Sequence, residues 1–295
     1  MTGSVHFYFV DVFASRPLTG NPLALVPDAD GLDETQMRAI AREFNQSETT
    51  FLLRPTLRGA TCRLRSFTPT GAEVGGAGHN ALGAWLWLEA SGRLPDRLTG
   101  LAQEIAGRVL PVELIREPGR PIVVSMDQSP PQFGESVTDR AELAAALGLD
   151  QADLTRSAPA QVVSTGAAHL MVPLRDRFAV DQAAPDGPRL RALLAAAGSE
   201  GCYLYSLDPV DTAAVSYTRF FNPTMGIDED PATGTAAGPL VALLVASGKT
   251  ADGVTAVVEQ GHVLGRPSRI EVTVSGRRVR VSGSGLVVAE GTLSI

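Results

Sequence analysis

Apolar positions in this chain fall into two kinds of block, and the two alternate. Short runs rich in β-branched and aromatic residues read as strands: "HFYFVDVF" (6–13), "PLALVP" (22–27), "TTFLLRP" (49–55) and "TCRLRSF" (61–67). A second series has the same make-up, with "AQVVSTG" (160–166), "AHLMVP" (168–173), "CYLYSL" (202–207) and "AVSYTRFF" (214–221). The tail alternates apolar and polar residues in "SRIEVTVSG", "RRVRVSG" and "GLVVAEGTL", which predicts half-buried strands. Helical spacing is predicted for "DETQMRAIAREF" (33–44), with Asp33 as N-cap and Gln36 three positions on, and for "PRLRALLAAAG" (188–198), where Pro188 suits a first turn. Two further helices, 79–90 and 235–246, are apolar on nearly every face. Such a helix has no solvent side, so each must be enclosed by other elements.

The two series repeat each other. "TGNPLALVP" (19–27) is echoed by "TGAAHLMVP" (165–173), and "RSFTPT" (65–70) by "RFFNPT" (219–224). Each echo is followed by a Gly-rich loop and an apolar helix, closing with "EASGR" (89–93) and "VASGK" (245–249). A repeat of about half the chain means two similar domains and not a solenoid. The expected class is α+β: two pseudo-symmetric domains, each a curved sheet or barrel around a central helix. "REPGRPIVVSMDQSPPQFGES" (116–136) carries the breakers of a connection. It places the N-terminal half at 1–127, joined by the last strand at about 286–295, and the C-terminal half at 128–285.

Composition narrows the function. At 44% apolar and 19% charged residues the chain reads as globular. A net charge of −7 argues against nucleic acid and against an anionic membrane surface. No apolar run is long enough to span a bilayer, and no leader pattern opens the chain. Cys62 and Cys202 fit no metal or CxxC spacing and read as buried thiols, so a reducing, cytoplasmic setting is expected and no metal site.

The Gly-rich loops are the candidate chemistry. Gly76-Ala77-Gly78-His79-Asn80-Ala81 fits a dinucleotide fingerprint, but "TPTGAEV" before it is no buried strand, and the acidic residue twenty positions on, Asp96, falls in a loop. The loops read instead as a matched pair of helix starts. Backbone N–H groups at Gly78–Asn80 and at Gly234, Thr235 and Ala236 would bind the carboxylate of a small anionic substrate. His79 starts one helix, and it reads either as a site residue or as an imidazole bonded to a nearby carbonyl. Asp228, Glu229 and Asp230 precede the other, where Thr235 suits an N-cap. A general base could be Glu48, but Ser47-Glu48 is echoed by Ser199-Glu200, and symmetry alone does not choose between the two glutamates.

"DVFASRPLTGNPLALV", "SETTFLL", "RSFTPTGAEVGGAGHNALG", "DEDPATGTAAGPL" and "EQGHVLGRPSRI" together resemble the successive signatures of the phenazine-biosynthesis isomerase (PhzF-like) family, over essentially the whole chain. The resemblance implies the diaminopimelate-epimerase fold, with the site in the cleft between two halves. It implies a cofactor-free acid–base isomerase, expected as a homodimer, whose phenazine branch acts on a dihydro-hydroxyanthranilate. The family's proton-shuttling glutamate matches Glu48, its Gly-His pair matches Gly78-His79, and its aspartate before Pro-x-Thr-Gly matches Asp230. The family's Ser after that Gly is Thr235 here, which keeps the hydroxyl. The epimerases of this fold carry a cysteine at each helix start; neither loop has one, which disfavours two-thiol racemisation. A one-base epimerase and a non-catalytic binding protein on the same fold are the remaining alternatives.

Overall fold

The computed structural model describes residues 3–94 and 98–295. The chain divides into two compact units, Met1–Met126 with Ser282–Ile295, and Asp127–Val281. Asp96 lies outside the described residues.

Unit 1 runs β1 (Ser4–Val12), β2 (Asn21–Val26), α1 (Glu34–Phe44), β3 (Thr49–Leu53), β4 (Cys62–Phe67), β5 (Glu73–Val74), α2 (His79–Ala90), β6 (Ala102–Ile105), β7 (Arg108–Pro111) and β8 (Glu113–Ile115). Strand β9 (Val123–Gln128) carries the chain into unit 2. There follow β10 (Gln132–Val137), α3 (Arg140–Ala146), β11 (Ala160–Ser164), β12 (Ala168–Pro173), α4 (Arg177–Gln182), α5 (Gly187–Ala197), β13 (Gly201–Ser206), β14 (Ser216–Asn222), β15 (Ile227–Asp230), α6 (Gly234–Ala246), β16 (Thr255–Gln260) and β17 (Ser268–Ser275). Strand β18 (Arg278–Gly283) leads back, and β19 (Gly285–Ser294) closes unit 1.

The duplication is written in the strand pairing. Unit 1 orders its strands β19-β1-β2-β3-β4-β6-β7, and unit 2 orders β10-β11-β12-β13-β14-β16-β17. In unit 1 the β2–β3 and β4–β6 pairs are parallel; in unit 2 the β12–β13 and β14–β16 pairs are. Parallel neighbours need a crossover, and helices supply it: α1 and α2 in unit 1, α4–α5 and α6 in unit 2. A further echo lies at β6 and β16. The Glu104 carboxylate accepts the N–H groups of Thr56 and Leu57 (2.6 and 2.9 Å), and the Glu259 carboxylate those of Val210 and Asp211 (2.7 and 2.9 Å). Each glutamate pins the loop between the fourth and fifth strands in its unit's sheet order, β3–β4 and β13–β14.

The central helix of unit 1 is enclosed as its composition demands. Every residue from His79 to Leu88 is buried, and α2 packs against β1, β2, β3 and β19. Gly83 permits the approach: a Cβ there would lie 2.5 Å from Leu23 Cδ2 and 2.9 Å from Val12 Cγ2. Trp85 is fully buried, and its indole N–H donates to Gln103 Oε1 at 2.8 Å. In unit 2, α6 packs against β11, β12 and β17. The opposite faces of the two sheets carry the amphipathic helices. Met37, Ile40 and Ala41 of α1 cluster with Val26, Phe51 and Phe67, and Leu190 and Leu194 of α5 cluster with Leu170, Cys202 and Leu204. Asp33 and Gln36 form the expected reciprocal cap on α1. Among the described residues no helix is long and apolar enough to cross a membrane.

Candidate active site

Unit 1 brings two predicted site residues together. Glu48 stands at the entry to β3, and His79 is the first residue of α2. Their Oε2 and Nε2 atoms are 2.9 Å apart, and their side chains are 15% and 8% exposed. The contact is close without being a linear hydrogen bond. Ser47, next to Glu48, donates to the side chain of the fully buried Asn21 at 3.3 Å. A partly desolvated carboxylate beside an imidazole, at the positive end of a buried helix, is a pair suited to holding and passing a proton.

The loop before α2 is fixed by Asn80, and this corrects part of the sequence reading. Asn80 Oδ1 accepts the Gly78 N–H at 2.7 Å, while Nδ2 donates to Ser66 Oγ and to the Gly76 carbonyl, each at 3.1 Å. Thr50 Oγ1 lies 2.9 Å from Ser66 Oγ and extends the network to β3. The Gly78 N–H is therefore taken by Asn80 and is not an open donor for a substrate. The Asn80 side chain is equally committed inside the protein.

In unit 2, Asp230 is the last residue of β15 and is 5% exposed. Its two acidic neighbours serve differently: Asp228 is exposed, and Glu229 makes a bidentate pair with Arg219 at 2.8 and 2.7 Å. The β14–β15 pairing is irregular between Ile227 and Asp230, and of the three acids only Asp230 is buried. The N-cap of α6 is Thr233 and not Thr235, because the helix begins at Gly234. The Thr233 hydroxyl donates to Asp230 Oδ2 at 2.5 Å and makes no cap bond. Thr235 is half-buried in the first turn, beside the buried Gly234 and Ala236. Thr233 and its partner Gln260 escaped the sequence reading, although Gln260 lies in a quoted motif; no local spacing reveals that β16 passes beneath the start of α6.

The strand register separates Glu48 from Glu200. Leu25 of β2 stands opposite Thr50 of β3, and Met171 of β12 opposite Tyr203 of β13. Thr50 in turn faces Ser66, and Tyr203 faces Phe220. Thr50 and Tyr203 are thus equivalent, which makes Gly201 the counterpart of Glu48. Glu200 is one residue out of step, and a one-residue slip turns a strand side chain to the other face. It is exposed. A Cβ at Gly201 would meet the Phe220 ring at 2.4 Å and His169 Nδ1 at 3.2 Å. The place a second carboxylate would need is filled by those two rings.

Other chemistry is sparse. Cys62 and Cys202 are buried and unpaired, and burial pushes both thiols up, Cys62 to about 12, so neither is a ready nucleophile. Among the described residues no His, Cys, Asp and Glu side chains gather as a metal-binding group. A cavity of about 380 Å³ in unit 2, lined by Arg140, Leu143, Leu154 and Arg156 among others, contains none of the candidate residues.

A sequence profile of the phenazine biosynthesis-like proteins (PhzC-PhzF) matches residues 10–291. The chain belongs to this family. A trans-2,3-dihydro-3-hydroxyanthranilate isomerase of Pseudomonas chlororaphis is 35% identical over 293 residues, covering 98% of this chain and 99% of that protein. A phenazine biosynthesis protein of the PhzF family from Bacillus anthracis superposes with a TM-score of 0.92 at 28% identity, covering 99% of this chain and 100% of that one. This chain is an enzyme of the isomerase class. Its architecture is also that of a hydroxyproline epimerase from Agrobacterium vitis, with a TM-score of 0.64 over 99% of this chain and 93% of the other. At 13% identity that likeness concerns the fold alone.

Proposed function

We propose that this PhzC-PhzF protein moves a proton, and with it a double bond, within a small unsaturated carboxylate, using Glu48 as the one group that takes and returns the proton. The observation that carries the reading is the 2.9 Å contact between the half-buried Glu48 and His79 at the start of α2. The register supports a single-carboxylate mechanism, because Gly201 and not an acid occupies the matching place in unit 2.

The chemistry is balanced with no other reactant. Glu48 removes a proton from a carbon conjugated through double bonds to the substrate carboxylate, and the electron pair shifts along the π-system. The carboxylic acid so formed returns the same proton to a different carbon on the same face. His79 packs against the Glu48 carboxylate and limits where it can point. Asp230, Thr235 and the Gly234 backbone N–H of α6 bind the substrate, together with the Asn80 N–H of α2; the Ala236 N–H is taken by the Thr233 carbonyl at 3.1 Å and does not serve. The first amides of a helix lack an intrahelical acceptor, which suits them to an anion. The compound named for the Pseudomonas relative, trans-2,3-dihydro-3-hydroxyanthranilate, has the required unsaturation and carboxylate, and a role in biosynthesis of such a metabolite follows. Cytoplasmic action as a homodimer belongs to the same reading; the two unpaired thiols fit a reducing compartment.

The test is Glu48→Gln, assayed on trans-2,3-dihydro-3-hydroxyanthranilate with the product identified by NMR. Loss of a general acid–base group should lower kcat by about 10²–10⁴-fold or more while a bound carboxylate analogue keeps its affinity. A variant that turns over at the wild-type rate refutes the assignment. Inversion at one carbon without double-bond movement would identify an epimerase instead.

A further inference from the structure

Gln260 is wholly buried beneath the turn from β15 to α6. Its amide is saturated. Nε2 donates to the Asp230 carbonyl at 2.6 Å and to Thr233 Oγ1 at 3.1 Å. Oε1 accepts the Thr233 N–H at 3.0 Å and the Tyr203 hydroxyl at 3.0 Å. An amide has two donors and two acceptor sites, and all four are engaged. A flipped amide would face donor to donor at Thr233 N–H and acceptor to acceptor at the Asp230 carbonyl, so the orientation is unambiguous. Burial pushes the Tyr203 phenol well above its ordinary value, which keeps it a protonated donor. Thr218 Oγ1 lies 2.9 Å behind it.

The direction of the chain follows from this orientation. Because Thr233 Oγ1 accepts from Gln260, its single proton is left to point at Asp230 Oδ2, 2.5 Å away. We propose that Gln260 and Thr233 are positioning residues: through the relay Gln260 Nε2 to Thr233 Oγ1 to Asp230 Oδ2, they fix the Asp230 carboxylate and the first turn of α6 in the geometry that receives the substrate. Bonds in series polarise one another, so the relay holds the carboxylate more firmly than either bond alone. This rests on the substrate-binding role given to Asp230 above, and the experiment separates the two claims.

Four full-length variants are compared: Asp230→Asn, Gln260→Met, the double variant, and Thr233→Val, with Thr233→Ser as the conservative control. Turnover is measured with trans-2,3-dihydro-3-hydroxyanthranilate, and melting is followed in parallel. Loss of the Thr233 hydroxyl's bond to the Asp230 carboxylate corresponds to about a 10- to 100-fold fall in kcat/KM for Thr233→Val, and Gln260→Met, whose lost bonds are all to uncharged groups, should fall by about 5- to 10-fold. Thr233→Ser should stay near wild type, because the hydroxyl relay survives. The double variant should be no worse than Asp230→Asn alone, since Gln260 acts through that carboxylate. Losses that multiply in the double variant, or a Thr233→Val enzyme that works as well as Thr233→Ser, overturn the positioning role. A fully active Asp230→Asn enzyme overturns the role of Asp230 itself. A crystal structure of Gln260→Met needs no substrate: Asp230 and the start of α6 should shift or lose the Thr233 contact, and an unmoved turn with that contact intact overturns the proposal.

Discussion

Asn80→Ala tests the loop that presents His79. The side chain makes three hydrogen bonds, one accepted from Gly78 N–H at 2.7 Å and two donated at 3.1 Å to Ser66 Oγ and the Gly76 carbonyl. Asn80 and Ser66 are each 2% exposed, so water does not replace the bond between them, whereas Gly78 is half-buried and Gly76 exposed. At about 1 kcal/mol net per bond, less where water can step in, the truncation should cost about 1–3 kcal/mol. Asn80→Asp keeps the acceptor for Gly78 and loses the two donors, and its charge gains about 0.5 kcal/mol from the helix N-terminus. It should therefore fall between wild type and the alanine variant. Both tryptophans of the chain, Trp85 and Trp87, lie in α2, so urea unfolding followed by tryptophan fluorescence reports on unit 1. A loss below about 0.5 kcal/mol for Asn80→Ala, or an aspartate variant no better than alanine, would refute the account of how the loop is held.

Gly83→Ala should destabilise unit 1 by about 1–3 kcal/mol in the same assay, because its Cβ would lie 2.5 Å from Leu23 Cδ2. Gly31→Ala, with nothing within 4 Å of the added atom, should stay within about 0.5 kcal/mol. His169 is 2% exposed with neither ring nitrogen hydrogen-bonded, and burial draws it from 6.5 down to about 4. A depressed folded-state value means stability that is full above pH 6.5 and is lost as pH falls toward 4, by about 3 kcal/mol in all. His169→Leu, with Leu23 as the natural precedent in unit 1, should remove that slope in urea titrations at pH 4 to 7; parallel curves for the two proteins would contradict it.

Much of the fold is legible in the sequence because its signals are local. The repeat "TGNPLALVP"/"TGAAHLMVP" marks the β1–β2 and β11–β12 hairpin entries, and the all-apolar runs mark α2 and α6 by composition alone. Short elements escape: β5, β7 and β8 have four residues or fewer, and α3 and α4 are brief helices set by single aspartate caps at Asp139 and Asp176. The site is legible in part. Glu48 and His79 can be nominated from motifs, yet the choice between Glu48 and Glu200 depends on a parallel register one residue out of step with the sequence echo. The commitment of the Gly78 N–H to Asn80 and the passage of Gln260 beneath Thr233 are likewise contacts between residues whose spacing in the chain says nothing about their meeting.

In the proposed reaction one carboxylate, Glu48, both removes and returns the proton. The most direct measurement is a single-turnover reaction in deuterium oxide with wild type and Glu48→Gln, reading by NMR which carbons of trans-2,3-dihydro-3-hydroxyanthranilate exchange and which gain hydrogen. With wild type, hydrogen should be lost from one carbon and gained at another, partly carried over from the substrate without exchange, and both events should vanish together in Glu48→Gln. Exchange at the first carbon that persists in the variant would mean a different group removes the proton, and would contradict it.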